Sequence, residues 1–538
     1  MYVLTSEQMQ QVDAETIDRI CPGLELMERA GRGCAQVIHE RHGGGGEAGD
    51  AETSGEGDND ARRAVIFVGP GNNGGDGLVI ARHLAQLGWA CAVHLLTLAD
   101  AFTPDASKNY QRLKKVIGRH ALVSEIDASR ADWSERAQEE LAGADVVVDA
   151  ILGTGVSGAP RGAVLEAIRL INSCAVPVVA IDIPSGVNGS TGESPGEAVG
   201  ADETLTIGAP KVGLLFHPGR HLCGEVSVID IGFPEEIIEK HAEPHYLLDR
   251  AEAARRLPYR SPATHKFDAG VLVMVAGSAQ YRGAALLAGE AALRGGCGMV
   301  YLGLPASIRP EIDVALREVI TVPLPETAEG TVAPEAVEHL QPYLGRAHAV
   351  AIGPGIGRHP DTERFVREFL SACGLPAVVD ADAVTAFTGQ PERLGEFDPP
   401  VVITPHSGEL GRLLGEEIAE GAVERLRGTA AIAQQLRVTL LHKGAPTLVA
   451  EPLRGVYVNT TGSSALATGG TGDVLTGLLG SFLAQGASPI DAACVAAWLH
   501  GRAGDLAAAE WGRRGVIAGD LLRYLGGAMV ELEAAARA

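Results

Sequence analysis

The chain has 538 residues, of which 46% are apolar and only 4% aromatic, so it can form two or more cores built from small aliphatic side chains. Its 44 basic and 68 acidic residues give a formal charge of −24, which argues against nucleic acid or anionic membranes as general partners. Eight cysteines without a CxxC pair, no signal-peptide pattern and no apolar run as long as a membrane span predict a cytoplasmic protein with reduced thiols.

The first predicted elements are two helices. Thr5 and Gln8 have the spacing of a helix-capping box, and a second helix is predicted from Leu26 to Ile38. The segment GGGGEAGDAETSGEGDND, residues 43–60, is glycine-rich and acidic and has no large apolar side chain. Because such a composition cannot bury enough apolar surface to fold, it predicts a disordered surface insertion.

Six apolar runs joined by helical segments come next. Continuous runs of valine and isoleucine are typical of parallel strands in a sheet that helices cover on both faces. We therefore predict an α/β domain with three layers. The runs are AVIFVG, ACAVHLLT, ADVVVDAILG, VPVVAIDIP, DETLTIG and VSVIDIG.

Three of these runs end in polar, glycine-rich turns: VVAIDIP ends in SGVNG, and the other two end in loops suited to phosphate. GPGNNGGDGL (69–78) follows AVIFV, and GTGVSG (153–158) follows the run that contains Asp149. Glycines let backbone N–H groups approach a phosphate, and a helix beginning near Asp76 adds the positive end of its dipole. Because ligands bind at the carboxyl ends of parallel strands, the two loops predict a site for a dinucleotide or another extended anion.

Oxygen-bearing side chains are predicted at the same strand ends. Asn73, Asp149 and Ser185 offer an amide oxygen, a carboxylate and a hydroxyl, a set with one negative charge that suits a monovalent cation. A carboxylate in a buried strand is costly without a partner, which favours a site at Asp149 over a structural role. Asp182, before a Pro-Ser-Gly turn, is explained equally well as a turn residue.

The segments LMERAG, GPGNNGGDGL, DAILGTGVSG and AIDIPSGVNG, in this order, resemble the NAD(P)H-hydrate epimerase family over nearly all of residues 1–235. The resemblance implies a Rossmann-like domain with potassium bound by Asn73, Asp149 and Ser185. Epimerisation at C6 of the hydrated ring breaks and remakes a carbon–oxygen bond, which requires a group that gives and takes a proton, and Asp182 is our candidate. The residues implied to bind the hydrate are Asn72, Asn73, Gly74, Gly75, Asp76, Gly153, Thr154, Gly155, Val156, Ser157, Gly158, Ala159 and Asp182.

A charged segment with several prolines, residues 233–266, separates this series of runs from a second one. We place the domain boundary near residue 245, which gives domains 1–245 and 246–538. The second series again predicts an α/β domain with a parallel sheet. Its runs are GVLVMVAGS, MVYLGLP, AHAVAIGPG, PAVVDADA, PVVITPH, VTLLHKG and PTLVAE.

The most specific motif of the second half is ATGGTGDVLTG (467–477). Residues 469–472 precede Asp473 and an apolar helix, so their N–H groups are predicted to cradle phosphoryl oxygens. The Asp473 carboxylate is suited to take a proton from a hydroxyl that is about to meet phosphate, although aspartate also caps helices. Lys443 follows a buried strand and is predicted to contact a phosphate or nucleotide. His406, at a strand tip, is as compatible with a structural hydrogen bond as with a site.

The order KFDAGVLVMVAGS, YRGAALLA, GPGIG, VDADAV, TPHSGEL, HKGAPT and ATGGTGDVLTG resembles the ADP-dependent NAD(P)H-hydrate dehydratase family, which has a ribokinase-like fold, over residues 250–530. Ser463 departs from the asparagine that is frequent in the family. We expect a magnesium ion that bridges the phosphates, without a residue assigned to it. The resemblance implies ADP contacts by Lys443, Gly444, Ala445, Pro446, Thr447, Ser463, Ser464, Ala465, Leu466, Ala467, Thr468, Gly469, Gly470, Thr471 and Gly472. It implies hydrate contacts by Gly355, His406, Ser407, Gly408, Glu409, Leu410, Gly411, Arg412 and Asp473.

The two resemblances together predict a bifunctional enzyme that repairs hydrated NADH and NADPH. The first half would interconvert the R and S hydrates, and the second would dehydrate the S form with ADP, giving NAD(P)H, AMP and phosphate. The alternative is a ribokinase-like small-molecule kinase whose N-terminal half binds nucleotides without catalysis. We expect small molecules as partners (the two hydrates and ADP), neither nucleic acid nor membrane, and a homo-oligomer.

Overall fold

A computed structural model describes residues 1–44, 61–117, 123–155, 158–399 and 401–537. The chain divides into two compact units, Met1–Glu243 and Pro244–Ala538. Apart from Gly43 and Gly44, the insertion predicted at residues 43–60 lies outside the described residues. Within the described ranges, no helix combines the length and apolar character that a membrane crossing requires.

One sheet organises the first unit. Its strands are β1 (Arg63–Val68), β2 (Ala90–Leu95), β3 (Val123–Asp127), β4 (Val146–Ala150), β5 (Val178–Ile181), β6 (Glu203–Ile207) and β7 (Glu225–Ile229). They pair in parallel in the order β3-β2-β1-β4-β5-β6-β7. The order reverses between β1 and β4, so the loops after these two strands border a crevice at one edge of the sheet. Of these strands, only β3 has no counterpart among the predicted runs, because its sequence VSEID, at the sheet edge, has only two apolar residues.

Helices cover both faces of this sheet, as predicted. They are α1 (Ser6–Arg19), α2 (Gly23–His42), α3 (Asn72–Gln86), α4 (Pro104–Ile117), α5 (Trp133–Ala142), α6 (Gly162–Ser173), α7 (Gly219–Leu222) and α8 (Glu235–His241). Alternate residues of β1 enter different cores: Ile66 packs with α2, α3 and α4, and Phe67 packs with α5 and α6. The capping box predicted at Thr5 and Gln8 is confirmed, since each backbone N–H donates to the other side chain.

The second unit contains a larger sheet. Its strands are β8 (His245–Leu248), β9 (Val271–Val275), β10 (Met299–Pro305), β11 (Ile320–Leu324), β12 (Ala349–Ile352), β13 (Ala377–Val379), β14 (Val401–Ile403), β15 (Thr439–His442), β16 (Leu448–Glu451) and β17 (Gly455–Asn459). Their order is β11-β10-β9-β12-β13-β14-β15-β16-β17-β8. Contrary to the all-parallel prediction, β16 is antiparallel to β15 and β17. The connections on either side of β16 are too short for the crossover that a parallel pair needs.

The helices of the second unit are α9 (Arg250–Arg255), α10 (Arg282–Arg294), α11 (Arg309–Ala315), α12 (Ala336–Leu344), α13 (Pro360–Cys373), α14 (Asp382–Thr385), α15 (Ser407–Leu414), α16 (Ala422–Leu436), α17 (Thr471–Ala484), α18 (Pro489–Trp511) and α19 (Ala518–Arg537). The long apolar helix α17 shares one core with α10, α18, α19 and alternate residues of the sheet, such as Leu272 and Met274 of β9. Val273, between those two residues, is also fully buried, so this sheet too is covered on both faces. The two units are therefore three-layer α/β folds, Rossmann-like and ribokinase-like, as predicted.

Candidate active sites

The first glycine-rich loop of the N-terminal unit leads directly into a helix. α3 begins at Asn72, earlier than the predicted start near Asp76, and its N-cap is Gly71, which has no side chain to bond the first N–H groups. Gly74 is required for the close turn, since a Cβ there would lie 1.9 Å from the carbonyl oxygen of Gly69. The uncapped N–H groups of this first turn are suited to bind an anion.

A buried oxygen cluster lies behind this loop. The Asp149 carboxylate is fully buried and accepts hydrogen bonds from the hydroxyl and the backbone N–H of Ser185, at 2.6 and 2.8 Å. Leu152 links the cluster to Asn73: its N–H donates to Ser185 Oγ, and its carbonyl accepts from Asn73 Nδ2. The amide oxygen of Asn73 is buried and has no hydrogen-bond partner among the described residues. Burial raises the pKa of Asp149 to about 6, and the bonds from Ser185 oppose this rise.

Asp182 forms a buried ion pair with Lys211. Asp182 follows β5 with a left-handed φ of 67°, and Lys211 is 1% exposed. Lys211 Nζ donates to Asp182 Oδ1 and also to the carbonyl oxygen of Ile207, at 2.7 Å. The Ile207 N–H donates to the same carboxylate oxygen at 3.1 Å. The other oxygen, Oδ2, lies 3.8 Å from the position that a Cβ on Gly153 would occupy, and it is therefore the oxygen turned toward the second glycine-rich loop.

A cavity of about 430 Å³ adjoins both loops. Helices α1 and α2 give it an apolar wall that includes Met9, Leu26 and Met27. Burial raises the pKa of Asp76 well above its usual range, and the Asp182 carboxylate adds to the rise. Burial raises the pKa of Asp13 in the same way. The cavity thus combines an apolar wall with several carboxyl groups. The predicted residues that line it are Asn72, Asn73, Asp76, Gly153, Thr154, Gly155 and Asp182.

The remaining predicted residues of this unit take other positions. Gly74 and Gly75 lie in the first turn of α3, where Gly75 packs against Met27 instead of lining the described cavity. Gly158 and Ala159 are likewise not among its described lining residues. Val156 and Ser157 lie outside the described residues.

Sequence reasoning missed Asp13 and Lys211, which also line the cavity. Asp13 lies on α1, where its spacing is that of an ordinary exposed helix residue. Lys211 had a usable signal, because it is the one charged residue in the apolar stretch GAPKVGLLF, residues 208–216. A lysine in such a stretch is rarely buried unless a carboxylate pairs with it.

In the second unit, the cradle predicted at residues 469–472 forms the start of α17. The N-cap is Gly470, which has φ 93° and offers no capping side chain. Asp473 therefore does not cap the helix, which was the structural alternative for this residue. Burial raises the pKa of the half-buried Asp473 carboxyl to about 7, the nearby Asp380 adds to the rise, and Lys443 opposes it.

Lys443 links the glycine-rich turn at the start of α17 to the ends of the neighbouring strands. Its Nζ lies 3.8 Å from the position that a Cβ on Gly472 would occupy, and it donates to Asp380 Oδ1 at 3.0 Å. Asp380 is buried and also accepts from Thr404 and Thr476, each at 2.6 Å. Because Thr476 is on α17, this fully bonded carboxylate fixes the start of α17 against the ends of β13, β14 and β15.

His406 and Ser463 have structural hydrogen bonds. His406 caps α15 through Nδ1, which accepts from the N–H groups of Gly408 and Glu409 at 3.0 and 3.3 Å, and the Glu409 carboxylate accepts in turn from the His406 N–H. Ser463 accepts from the N–H of Ala465 at 3.4 Å. His406 therefore makes the structural hydrogen bonds that were considered for it, and it makes them through Nδ1. Its other ring nitrogen, Nε2, lies on the exposed side chain beside Glu409.

The other predicted residues of this unit fall into four groups by position. Gly355 follows β12 with φ 61°, and a Cβ there would lie 2.7 Å from that of Tyr281. Residues 407–412 form the first turns of α15, with Leu410 buried in the core and Arg412 exposed. Residues 444–447 connect β15 to β16, and residues 464–468 lead from a short 3-10 helix to the start of α17. Lys443 belongs to the first predicted ADP segment, and its Nζ lies near Gly472 of the second, so the two segments are neighbours at this point.

Two family models match the chain in succession. One, described as NAD(P)H-hydrate dehydratase, matches residues 272–526. The other, described as YjeF-related protein N-terminus, matches residues 23–213. The first match contains the predicted site residues of the second unit, and the second contains those of the first unit but not Met9 and Asp13 of its cavity.

Relatives match over almost the whole length. A bifunctional NAD(P)H-hydrate repair enzyme of Moorella thermoacetica is 39% identical over 527 residues, which cover 98% of this chain and 96% of the relative. A bifunctional NAD(P)H-hydrate repair enzyme of Salinibacter ruber is 36% identical, with 97% and 94% covered. Among solved structures, an ADP/ATP-dependent NAD(P)H-hydrate dehydratase from Bacillus subtilis, co-crystallised with ATP and Mg²⁺, is 28% identical, covers 54% of this chain and 99% of its own, and has a TM-score of 0.45.

Proposed function

The chain belongs to the family of bifunctional NAD(P)H-hydrate repair enzymes, and from this premise we propose that Asp182 and Asp473 carry its two reactions. The enzyme is an NAD(P)H-hydrate epimerase joined to an NAD(P)H-hydrate dehydratase. Family membership decides against the alternative of a small-molecule kinase with a non-catalytic N-terminal half.

For the epimerase, we assign the proton transfer to Oδ2 of Asp182. Inversion at C6 requires the hydroxyl to leave as water and water to add from the opposite face, so one proton is given and one is taken back. Three contacts with Lys211, Ile207 and Thr206 hold Oδ1, which leaves Oδ2 for the substrate. Loss of the hydroxyl makes the ring cationic, and the Asp182 carboxylate, once it has given its proton, favours that charge.

Replacing the proton-transfer residue tests this assignment. We expect Asp182→Asn to slow the interconversion of the R and S hydrates by about 10²–10⁴-fold, the usual contribution of a general acid–base group. Dehydration of the S hydrate by the same protein is the internal control and should keep its wild-type rate. Epimerisation at an unchanged rate would exclude Asp182.

We propose a potassium site formed by Asn73, Asp149 and Ser185. The residues fit the ion, because the Asn73 amide oxygen is buried without a hydrogen-bond partner beside a buried carboxylate. A bound potassium ion would supply fixed positive charge next to the phosphate-binding loop. Melting of the protein in KCl and in LiCl at equal ionic strength tests the proposal: K⁺ should raise the melting temperature of the N-terminal unit more, and Asp149→Asn should abolish the difference.

For the dehydratase, we propose that Asp473 takes the proton of the C6 hydroxyl while the oxygen attacks the β-phosphate of ADP. AMP leaves, the C6–O bond of the phosphate ester then breaks to release phosphate, and loss of a proton from C5 restores the dihydropyridine. The observation that carries this proposal is the uncapped start of α17, with the half-buried Asp473 carboxyl beside free N–H groups.

The described carboxylates at this edge do not form a cluster that fits Mg²⁺. Asp380 is fully bonded, Asp382 accepts from the Gly357 N–H and from Arg358, and Glu409 belongs to the cap of α15. We therefore assign no protein ligand to magnesium and derive no step from it. Phosphate oxygens of the nucleotide are its natural ligands.

A mixture of hydrate epimers, incubated with ADP, ATP or no nucleotide, tests the dehydratase proposal. Recovery of the dihydropyridine absorbance with ADP, together with equal amounts of AMP and phosphate, is expected. Asp473→Asn should lower this rate by about 10²–10⁴-fold and leave epimerisation intact. A stable phosphorylated product would contradict the proposed sequence of steps.

A further inference from the structure

A buried guanidinium without a carboxylate partner lies beside one of the two candidate ADP segments. Arg425, in the first turn of α16, is 7% exposed. Its Nε has no hydrogen-bond partner among the described residues, and its Nη2 makes a long bond of 3.4 Å to the carbonyl oxygen of Lys443. Because arginine stays charged and desolvation of its charge is costly, a buried arginine normally has an anion beside it.

The polar groups near Arg425 do not supply that anion. Burial lowers the pKa of His442 to about 3, so this ring, which is bonded to Thr429 Oγ1 at 2.9 Å, is neutral. Asp380 is occupied by Lys443. Burial lowers the pKa of Arg425 to about 10, and the charge of the exposed Glu420 opposes this effect only in part. At neutral pH the guanidinium is therefore charged, and no carboxylate of the described residues forms an ion pair with it.

The guanidinium packs against the backbone of the segment formed by residues 443–447. A Cβ on Gly444 would lie 2.1 Å from Arg425 Nη2, so glycine is needed at this position to admit the side chain. Lys443, the preceding residue, reaches with Nζ to the start of α17 at Gly472. An anion that extends from the N–H groups of α17 along Lys443 toward Gly444 would approach both cations.

We propose that Arg425 is a specificity-determining residue that binds the diphosphate group of the nucleoside diphosphate. This inference rests on the proposed ADP-dependent dehydratase reaction and adds a residue outside the motifs that suggested it. The hydrated dinucleotide also carries a diphosphate group. The test therefore compares a nucleoside diphosphate with a dinucleotide as the ligand of Arg425. The location beside residues 443–447 favours the nucleoside diphosphate.

Binding of ADP, adenosine and NADH to the full-length chain tests the proposal. We expect Arg425→Met to weaken ADP binding by about 10- to 100-fold, the range for a lost charge-assisted hydrogen bond, and to change adenosine and NADH binding little. The KM for ADP should rise by the same factor with kcat nearly unchanged. Arg425→Lys should recover part of the affinity, because it restores the charge without the planar guanidinium.

Thermal melting without ligand distinguishes binding from a structural role. Removal of an unpaired buried charge should leave the melting temperature of Arg425→Met equal to that of wild type or higher, while the stabilisation by added ADP shrinks. Arg364→Met, on the exposed face of α13, is the matched control and should alter neither quantity.

Several results would overturn the proposal: unchanged ADP affinity in Arg425→Met, equal losses for ADP and adenosine, a loss confined to NADH, or a ligand-free variant that melts below wild type.

Failure of the proposed function is detected separately. A wild-type chain that binds ADP but does not restore the dihydropyridine would refute the dehydratase cycle, and the Arg425 comparison would still be decided by ADP affinity. A wild-type chain that does not bind ADP would overturn both.

Discussion

Asp473 and His94 are ionisable residues in buried surroundings, and burial moves their pKa values in opposite directions. For Asp473 the pKa rises to about 7, because burial disfavours the carboxylate. For His94, which lies on β2 and stacks on Phe67 of β1, the pKa falls to about 4, because burial disfavours the imidazolium. The first shift gives a group that can hold or release a proton near neutral pH. The second keeps a core histidine neutral.

The pH dependence of dehydration reports the state of Asp473. Because the carboxylate is the active form, kcat/KM should rise with pH through about 7. Asp380→Asn removes the negative charge that helps to raise this pKa and leaves Lys443 to oppose it, so the rise should move to lower pH. Profiles of kcat/KM against pH for wild type, Asp380→Asn and the exposed control Asp361→Asn check this. A shift to higher pH would contradict it.

His94 predicts a stabilising substitution. Both ring nitrogens are buried and lack partners among the described residues, and each such group costs about 1–3 kcal/mol. We therefore expect His94→Leu to raise the free energy of unfolding of the N-terminal unit by about 1–3 kcal/mol.

The advantage of His94→Leu should depend on pH. In the unfolded wild-type chain, the His94 ring gains a proton below its usual pKa of 6.5, whereas in the folded chain it gains one only near its lowered pKa of about 4. The free energy of unfolding therefore falls as the pH drops from 6.5 toward 4. The leucine variant lacks this loss, and its advantage should therefore grow at acid pH. Denaturant unfolding at two pH values measures it. A variant less stable than wild type would show that the histidine has a partner.

At the scale of elements, the start of α17 is positioned by close packing against α10. Gly477 of α17 faces the backbone of α10, and a Cβ there would lie 2.2 Å from the carbonyl oxygen of Ala288. The absence of a side chain lets the two helices approach, which fixes the turn that carries Asp473.

Two glycine-to-alanine substitutions separate this packing effect from helix propensity. Gly477→Ala should destabilise the second unit by about 1–3 kcal/mol, as expected for overpacking. Gly526→Ala on α19, where a Cβ would meet nothing within 4 Å, should stabilise it by about 0.4–1 kcal/mol. Thermal melting of both variants is the measurement. Equal effects would mean that α10 and α17 can separate at no cost.

The elements predicted with success were those with a continuous apolar run or a capping signal. The runs around β1, β4 and β5 were visible because both faces of these strands are buried. β3, β8, β11 and β17 have no matching predicted run. β3, β8 and β11 are edge strands, and partly exposed residues interrupt their apolar patterns. β17 pairs on one side with β16, its neighbour in the chain, and on the other with β8, a segment far away that chain order does not reveal.

At the scale of the molecule, each unit has its own sheet and core. The sheet of the second unit includes β8, which pairs with β17, so the chain must be cut before β8 to leave that sheet whole. Leu248 of β8 and Ala253 of α9 belong to its core.

Separate polypeptides 1–243 and 244–538 should each fold and retain one reaction. The second should consume only the S hydrate, and the R hydrate should disappear only after the first is added. A shorter fragment, 257–538, should melt lower because it lacks β8 and α9. Absorbance of the dihydropyridine and thermal melting measure these outcomes. Consumption of both epimers by 244–538 alone would contradict the division of labour.

The local sequence by itself determined those features of the protein that involve only adjacent residues, such as turns and helix starts. The glycines and amides of residues 69–78 and the small residues before Asp473 announce two helix starts, because a turn and its free N–H groups depend on adjacent residues. The family resemblance rests on the same local motifs.

Only the tertiary structure decided which charges are paired. Asp182 meets Lys211 across 29 positions, and Asp380 meets Thr476 across 96. Among the described residues, Arg425 is left without a carboxylate partner although the chain is rich in acidic residues. Pairing over such separations depends on which strand ends the packed sheet brings together and on which side chains it removes from water. Both are properties of the folded chain and cannot be read from neighbouring residues in the sequence.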